Sequence, residues 1–298
     1  MSDESAKRAS SDGLVPNKVT ACIDGSSLAA AVCDYAAWAS RRMAAPLELL
    51  HVLDRSRYPA VRDFSGSIGL GSREHLLEEL AQLDERRAKV ALEQGHLMLD
   101  AARARAVAAG VAEPQVRQRH GDLLECLLEL AGDIRLLVIG RTGEQSAARH
   151  RHIGTHLENV IRTVPRPILV TTGAFTPPRR CLIAFDGSAT SRKCVEMVAG
   201  SPLLRELPIH VVMVGNDSTE AQAQLTWART TLQGAGFDVS TAIRSGEIEP
   251  TLHAYQREQQ LDLLVMGAYG HSRIREFLVG STTTKMLSTT TGPLLLLR

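Results

Sequence analysis

The chain has 298 residues, enough for two domains of ordinary size, and its 44% hydrophobic and 22% charged residues are typical of a soluble globular protein. Its 34 basic and 33 acidic side chains give a net charge of +1, which indicates neither a nucleic-acid-binding surface nor an acidic tail. No apolar stretch approaches the ~20 residues that cross a membrane, and the polar residues 1–17 lack a secretory signal, which predicts a cytoplasmic protein.

Apolar runs rich in Val, Ile and Leu alternate with helical patterns along the chain. The first group of elements predicts strands near 18–24, 47–53, 114–119, 135–140 and 167–172 and helices near 27–44, 73–109, 122–132 and 154–163. The second group predicts strands near 180–186, 208–214, 238–243, 262–267 and 293–297 and helices near 190–200, 219–234, 247–258 and 280–289. Strands and helices that alternate in this way favour an α/β fold with a parallel sheet covered on both faces.

The first group carries a long insertion, around residues 58–92, that the second group lacks. Its main element is the predicted helix 73–109, in which the apolar residues at 76, 80, 83, 90 and 97 share one face. Gly110 follows this helix as its predicted C-cap residue.

The two groups of elements are copies of one another. The matched segments are residues 19–26 with 181–188, 136–143 with 263–270, 154–155 with 280–281, and 167–170 with 293–296. The first pair of segments ends in Asp-Gly-Ser in both copies, and the second pair contains the spacing G-x2-G. We therefore predict a flexible N-terminus at 1–17, a first domain at 18–172, a linker at 173–180 and a second domain at 181–298. Because the linker is short, the two domains should pack together.

A glycine-rich segment follows the fourth strand of the second copy. Gly267 and Gly270 let a ligand approach the backbone closely, and nine residues separate Gly270 from Gly280. Gly280 begins the last helix, where Ser281 and Thr282 add hydroxyl donors. Unpaired N–H groups at a helix start attract anions, and parallel sheets bind ligands at the carboxyl ends of their strands. The segment therefore predicts a phosphate-binding turn.

These motifs resemble those of the universal stress protein family, from residue 18 to residue 298. ATP-binding members of the family carry G-x2-G-x9-G-[S/T], which Gly267, Gly270, Gly280 and Ser281 match without a gap. The resemblance implies two tandem, Rossmann-like, five-stranded parallel sheets of strand order 3-2-1-4-5 that pair through their last strands as an internal pseudo-dimer. It also implies ATP as the ligand, with or without Mg²⁺, a regulatory role in the stress response, and dimerisation.

The resemblance further implies which residues surround the nucleotide. Asp186 would lie beside it, and contacts near Val214 and Met266 would enclose the adenine. The full set implied for the second site is Ala184, Asp186, Val214, Met266, Gly267, Gly270, His271, Gly280, Ser281 and Thr282. The corresponding set in the first copy is Asp24, Val52, Gly140, Gly143, Gly154 and Thr155.

The first copy departs from the family motif, because ten residues rather than nine separate Gly143 from Gly154. Its loop carries Arg149 and Arg151, which are either phosphate-binding cations or part of a solvated loop. An added residue changes the direction in which the loop's N–H groups point, and donors out of hydrogen-bonding reach contribute little. We therefore predict that the second site binds more tightly.

Other functions remain open from the residues alone. Asp24 and Asp186 could hold Mg²⁺ or act as bases, or they could cap the Asp-Gly-Ser turns that contain them. His51 and His210 fall in predicted strands, which favours a structural role. No Ser/His/Asp order or paired-carboxylate site stands out, which favours a nucleotide-binding regulator over a weak ATPase or an autophosphorylating enzyme. A structural module with vestigial sites is a third interpretation.

The five cysteines are an odd number, and none has a spacing suited to zinc. Cys22 and Cys181 lie in strand-like runs. We predict that the thiols are buried and that the protein works in a reducing compartment.

Overall fold

The computed structural model describes residues 17–53, 70–143, 155–268 and 281–298. The predicted flexible N-terminus therefore lies almost entirely outside the described residues. The first half contains β1 (Lys18–Cys22), α1 (Ala29–Met43), β2 (Leu47–Leu53), α2 (Leu70–Ala108), β3 (Gln115–His120), α3 (Leu123–Leu130), β4 (Ile134–Gly140), α4 (Thr155–Thr163) and β5 (Ile168–Thr171). The second half contains β6 (Cys181–Ala184), α5 (Ala189–Gly200), β7 (Ile209–Val214), α6 (Thr219–Gly234), β8 (Val239–Arg244), α7 (Ile248–Glu258), β9 (Leu263–Gly267), α8 (Ser281–Thr289) and β10 (Leu294–Leu297).

The ten strands found among the described residues belong to one sheet, in the order β3-β2-β1-β4-β5-β10-β9-β6-β7-β8. Neighbouring strands are parallel within each half. The predicted order 3-2-1-4-5 is therefore confirmed in both halves. β5 and β10 pair antiparallel, with Leu169 opposite Leu295, so the two predicted sheets join into a single one.

Helices cover both faces of this sheet, as the uninterrupted apolar strands predict. In β4, Leu136 and Val138 belong to the core under α1, α2, α5 and α6. Leu137 and Ile139 belong to the core under α3, α4, α7 and α8. No helix of the described residues is long and apolar enough to cross a membrane.

The long insertion forms α2, but its apolar face is not its buried face. Leu83, Val90 and Leu97 are 47%, 55% and 63% exposed, whereas Leu99 and Ala106 face the core. A helix of 39 residues spans about 58 Å at ~1.5 Å per residue. The 7-residue strand β2 beneath it spans about 23 Å, so the sheet cannot cover the whole helix. The predicted C-cap is present: Gly110 has φ +89° and donates its N–H to the Val107 carbonyl.

The segment between the two halves, residues 173–180, is fixed at both ends. Phe175 packs edge-to-face on Tyr35 of α1, with 4.7 Å between the ring centroids. The Tyr35 hydroxyl donates to the Thr176 carbonyl at 3.3 Å. The Asp262 carboxylate accepts the Arg179 N–H at 2.8 Å. These contacts hold the segment against both halves of the chain.

Two arginines add reciprocal bonds across the junction of the halves. Arg141, which follows β4, donates from Nη1 to the Thr290 carbonyl at 2.6 Å. Arg298, at the end of the chain, donates to the carbonyls of Val164 at 2.8 Å and Arg162 at 2.7 Å. Each half therefore supplies a side chain that binds the backbone of the other.

Candidate functional site

The carboxyl ends of three neighbouring strands bring the predicted apolar residues of the second half together. β6 lies between β9 and β7, and the three strands are parallel. The residues at or next to the ends of these strands are Ala184, Val214 and Met266. All three contact the same core cluster on the α7–α8 face. Ala184 and Val214 are half-buried, and Met266 is buried. The strand ends thus form an apolar floor at the edge of the sheet.

At this edge the connections that follow β6 and β9 lead away from each other. An open parallel sheet forms a crevice at such a point. From β6 the chain runs through α5 to β7 on one side, whereas β9, on the other side of β6, leads through α8 to β10. Because α8 links two parallel strands, its first turn, with Ser281 and the half-buried Thr282, lies at the same edge. The first N–H groups of a helix have no partner within the helix. A polar anchor therefore lies beside the apolar floor.

Asp186 lies in the turn that follows β6 and is exposed. Its Oδ1 accepts the Ser188 N–H at 3.0 Å, and Ser188 in turn caps α5 by accepting the Ser191 N–H at 3.2 Å. Gly187 has φ +74°, and a Cβ there would lie 1.4 Å from Gln224 Oε1. The Asp-Gly-Ser segment is thus a capping turn that needs its glycine, and the Asp186 carboxylate stabilises the turn by accepting one of its N–H groups.

Gly267 has a packing role in addition to the predicted one. A Cβ on Gly267 would lie 2.8 Å from Thr190 Cγ2 and 3.4 Å from Cys194 Sγ. The helix that these two residues belong to, α5, therefore lies against the end of β9. The equivalent glycine of the first half, Gly140, has Leu28 in the same place, 3.3 Å from a Cβ. Helix packing by itself therefore accounts for glycine at these strand ends, and the predicted approach of a ligand stays a prediction.

Part of both predicted phosphate-binding turns falls outside the described residues. Gly270, His271 and Gly280 of the second copy lie there, as does Gly154 of the first copy with its neighbours Arg149 and Arg151. The side chains of Ser281 and Thr155, which begin α8 and α4, are not described either. The ligand roles of all these residues stay predictions.

The first half repeats the apolar floor with different side chains. Cys22, Val52 and Ile139 contact the core on the α3–α4 face, at the ends of β1, β2 and β4. Asp24 caps its turn as Asp186 does, with Oδ1 accepting the Ser26 N–H at 3.1 Å. A Cβ on Gly143 would lie 3.3 Å from Asp24 Oδ2, so the predicted residues Asp24 and Gly143 are neighbours.

Cys22, at this first floor, is half-buried rather than buried as predicted. Desolvation, helped by the nearby Asp24 carboxylate, raises the pKa of Cys22 to about 12. Ala184 occupies the equivalent place in the second half, and all five cysteines are free. Their predicted role as small buried side chains holds for Cys33, Cys126, Cys181 and Cys194.

One cation at the second site was missed by the sequence reasoning. Arg244 ends β8 and is the register partner of Val214. Its guanidinium lies over the Tyr255 ring, 4.9 Å from the centroid. The Tyr255 hydroxyl is 2.9 Å from His210 Nδ1, which gives that strand histidine a structural partner. The sequence did offer one signal for Arg244, which is its place at the carboxyl end of the third strand of the second half.

A separate cavity of about 710 Å³ lies between residues 172–176 and α7. Its polar lining is internally paired: His253 Nε2 is 2.9 Å from Thr289 Oγ1 and 3.6 Å from Glu249 Oε1. It holds none of the predicted site residues. In the part of the chain that the structure describes, no group of three His, Cys, Asp or Glu side chains could hold a metal ion.

The universal stress protein family model matches the chain twice, over residues 16–172 and 178–298. Universal stress protein Slr1230 of Synechocystis is 39% identical over 281 residues, which cover 93% of this chain and 98% of that protein. The chain therefore belongs to the universal stress protein family.

One solved structure shows the same fold over most of the chain. A universal stress protein from Archaeoglobus fulgidus superposes with a TM-score of 0.71 at 17% identity, covering 95% of this chain and 98% of that one. A second protein from the same organism, a universal stress protein in complex with dAMP, is 18% identical. It covers 40% of this chain and 97% of its own, with a TM-score of 0.33.

Proposed function

We propose that residues 18–172 and 181–298 are two universal-stress-type domains and that the second binds ATP in a regulatory role. The observation that carries this proposal is the convergence of Ala184, Val214 and Met266 on one floor, beside the first turn of α8. An adenine ring needs an apolar surface, and phosphates need N–H donors. The second half offers both at one edge of the sheet.

Charge at this edge favours an anionic ligand. No acidic side chain stands in the first turn of α8, and Arg244 lies beside Val214 at the rim of the floor. Asp186 is the acidic residue of the turn after β6, and one of its oxygens caps that turn. We infer that Asp186 interacts with the sugar or with a Mg²⁺ bound to the phosphates, because a carboxylate next to bare phosphates would repel them.

The first half is the weaker site in this proposal. Its floor carries the larger Cys22 where the second half has Ala184. Arg141, which follows β4 in the first half, is bound to the Thr290 carbonyl and so points to the second half. The loop between Gly143 and Gly154 is one residue longer than its counterpart.

The test uses the full chain and a matched pair of variants. Val214→Glu places a carboxylate in the second floor, and Val52→Glu does the same at the equivalent strand end of the first. At an ATP concentration of 100 Kd, binding adds ~2.7 kcal/mol to the free energy of unfolding. We expect ATP to raise the melting temperature of the wild type and of Val52→Glu but not that of Val214→Glu.

The proposal fails if Val214→Glu keeps the full ATP-induced shift while circular dichroism shows it to be folded. Loss of the shift only in Val52→Glu would assign ATP to the first half instead. The measurement is repeated with EDTA to determine whether Mg²⁺ takes part. A phosphate-release assay at high protein concentration separates a regulator from the weak ATPase alternative.

We also propose a cytoplasmic location. Its support is the state of the cysteines, since five free thiols suit a reducing compartment better than an oxidising one. Fractionation of cells that express the tagged protein would test it.

A further inference from the structure

The N-terminal part of α2 extends past the core of the first half. No residue from 78 to 94 is buried. Among the residues of the helix whose side chains are described, Gly95 is the first buried one. Ion pairs within the helix stabilise this part: Lys89 with Glu85 at 2.9 Å and Arg87 with Asp84 at 3.7 Å. A surface helix that contacts nothing is expected to be polar all round.

This helix is not polar all round. Leu83, Val90 and Leu97, here called the apolar stripe, follow one another at intervals of seven residues and are about half exposed. Helices that pack along one another carry two apolar positions in every seven residues, and the stripe supplies one of the two. The stripe lies on the side opposite the core, because Leu97 is two residues, or about 200°, from the buried Gly95.

The charges beside the stripe would meet opposite charges on a second copy of the helix that runs antiparallel to the first. Arg86 and Glu93 lie on the same flank, four residues before and three residues after Val90. A two-fold axis at Val90 sets Arg86 of each chain within about one residue, ~1.5 Å along the helix, of Glu93 of the other. It also sets Leu83 opposite Leu97. A parallel pairing would instead set Arg86 of one chain within about one residue of Arg87 of the other, so two like charges would meet.

Pairing through the last strands is not open to a second copy of the chain. β5 and β10, the last strands of the two halves, already pair with each other. A second copy must therefore use another surface than the last strand. We propose that this surface is the apolar stripe, and that two chains associate through antiparallel α2 helices around Val90. The stripe spans about 21 Å, shorter than a standard interface, so we expect a micromolar dissociation constant.

Cysteine cross-linking of the full chain tests the geometry. In the antiparallel dimer, Val90→Cys sets its two thiols face to face, so a mild oxidant should convert most of the protein to a disulfide-linked dimer. Leu83→Cys should stay monomeric, because each thiol is seven residues from the axis and the two thiols are therefore about 21 Å apart at ~1.5 Å per residue. Cross-linking of both variants indicates a parallel pair and overturns the arrangement, and cross-linking of neither overturns the dimer.

Sedimentation velocity over a range of concentrations tests the association. We expect Val90→Glu to abolish the dimer, and Val107→Glu, a 48%-exposed position of α2 outside the stripe, to leave it intact. Arg86→Glu and Glu93→Arg should each weaken the dimer at least fivefold, and the double variant should restore it. A wild type that stays monomeric at 200 μM, or a double variant as weak as the single ones, contradicts the proposal. A monomeric wild type that Val90→Glu destabilises would show that the chain itself covers the stripe.

Discussion

Replacing Gly267 by alanine tests whether the packing of α5 requires glycine at the end of β9. The new Cβ would lie 2.8 Å from Thr190 Cγ2, whereas ordinary carbon contacts begin near 3.4 Å. One of the two groups must therefore move by about 0.6 Å, and overpacking of this kind typically costs ~1–3 kcal/mol. We expect Gly267→Ala to lower the free energy of unfolding by about 2 kcal/mol, measured by urea denaturation and followed by tryptophan fluorescence.

The matched change is Thr190→Ser, which removes the clashing methyl group and keeps the hydroxyl. In that background we expect Gly267→Ala to cost less than 1 kcal/mol, so the double-mutant cycle should give a coupling of at least 1 kcal/mol. An equal cost in both backgrounds would refute the steric explanation. ATP titration of the double variant then separates the two roles of Gly267: recovered binding assigns the glycine to packing, and lost binding assigns it to the ligand.

Three further predictions concern other parts of the molecule. Burial raises the pKa values of Cys181 and Cys194 to about 12, so neither thiol should react with a disulfide reagent at pH 8 until the chain is unfolded. Desolvation lowers the pKa of His210 in the folded state, so below the ordinary value of 6.5 the unfolded chain takes up the proton first. Stability should therefore fall as the pH drops through that range, and His210→Gln should flatten this fall in a series of melting curves. Arg141→Met should cost about 1 kcal/mol in urea denaturation, because it leaves the Thr290 carbonyl without its charged donor.

The sequence contained most of the fold. Continuous runs such as Leu136 to Ile139 indicated strands buried on both faces, and Gly110 marked the end of α2 because left-handed backbone favours glycine. The repeat of the Asp-Gly-Ser turn placed Asp24 and Asp186 at equivalent strand ends. The apolar floor was implied by the resemblance to the family, and the rule that parallel strands end at one edge explains why its residues meet.

What the sequence did not contain was the set of contacts between distant segments. The apolar residues of α2 predict a helix, but whether they face a core depends on how far the sheet reaches beneath them. Arg141 falls in a glycine-rich turn that suggests phosphate, yet its guanidinium binds the Thr290 carbonyl 149 residues away. Thr190 gave no signal at all, because its importance arises from its distance to Gly267.

The antiparallel pairing of β5 with β10 has a consequence for how the two halves can differ. It reverses strand direction in mid-sheet, so the two apolar floors open at opposite edges, and one ligand cannot touch both. In a pair of identical subunits, any change to one floor is also a change to the other. Within a single chain, one half can specialise for ligand and the other for assembly, while each continues to complete the sheet that its neighbour needs.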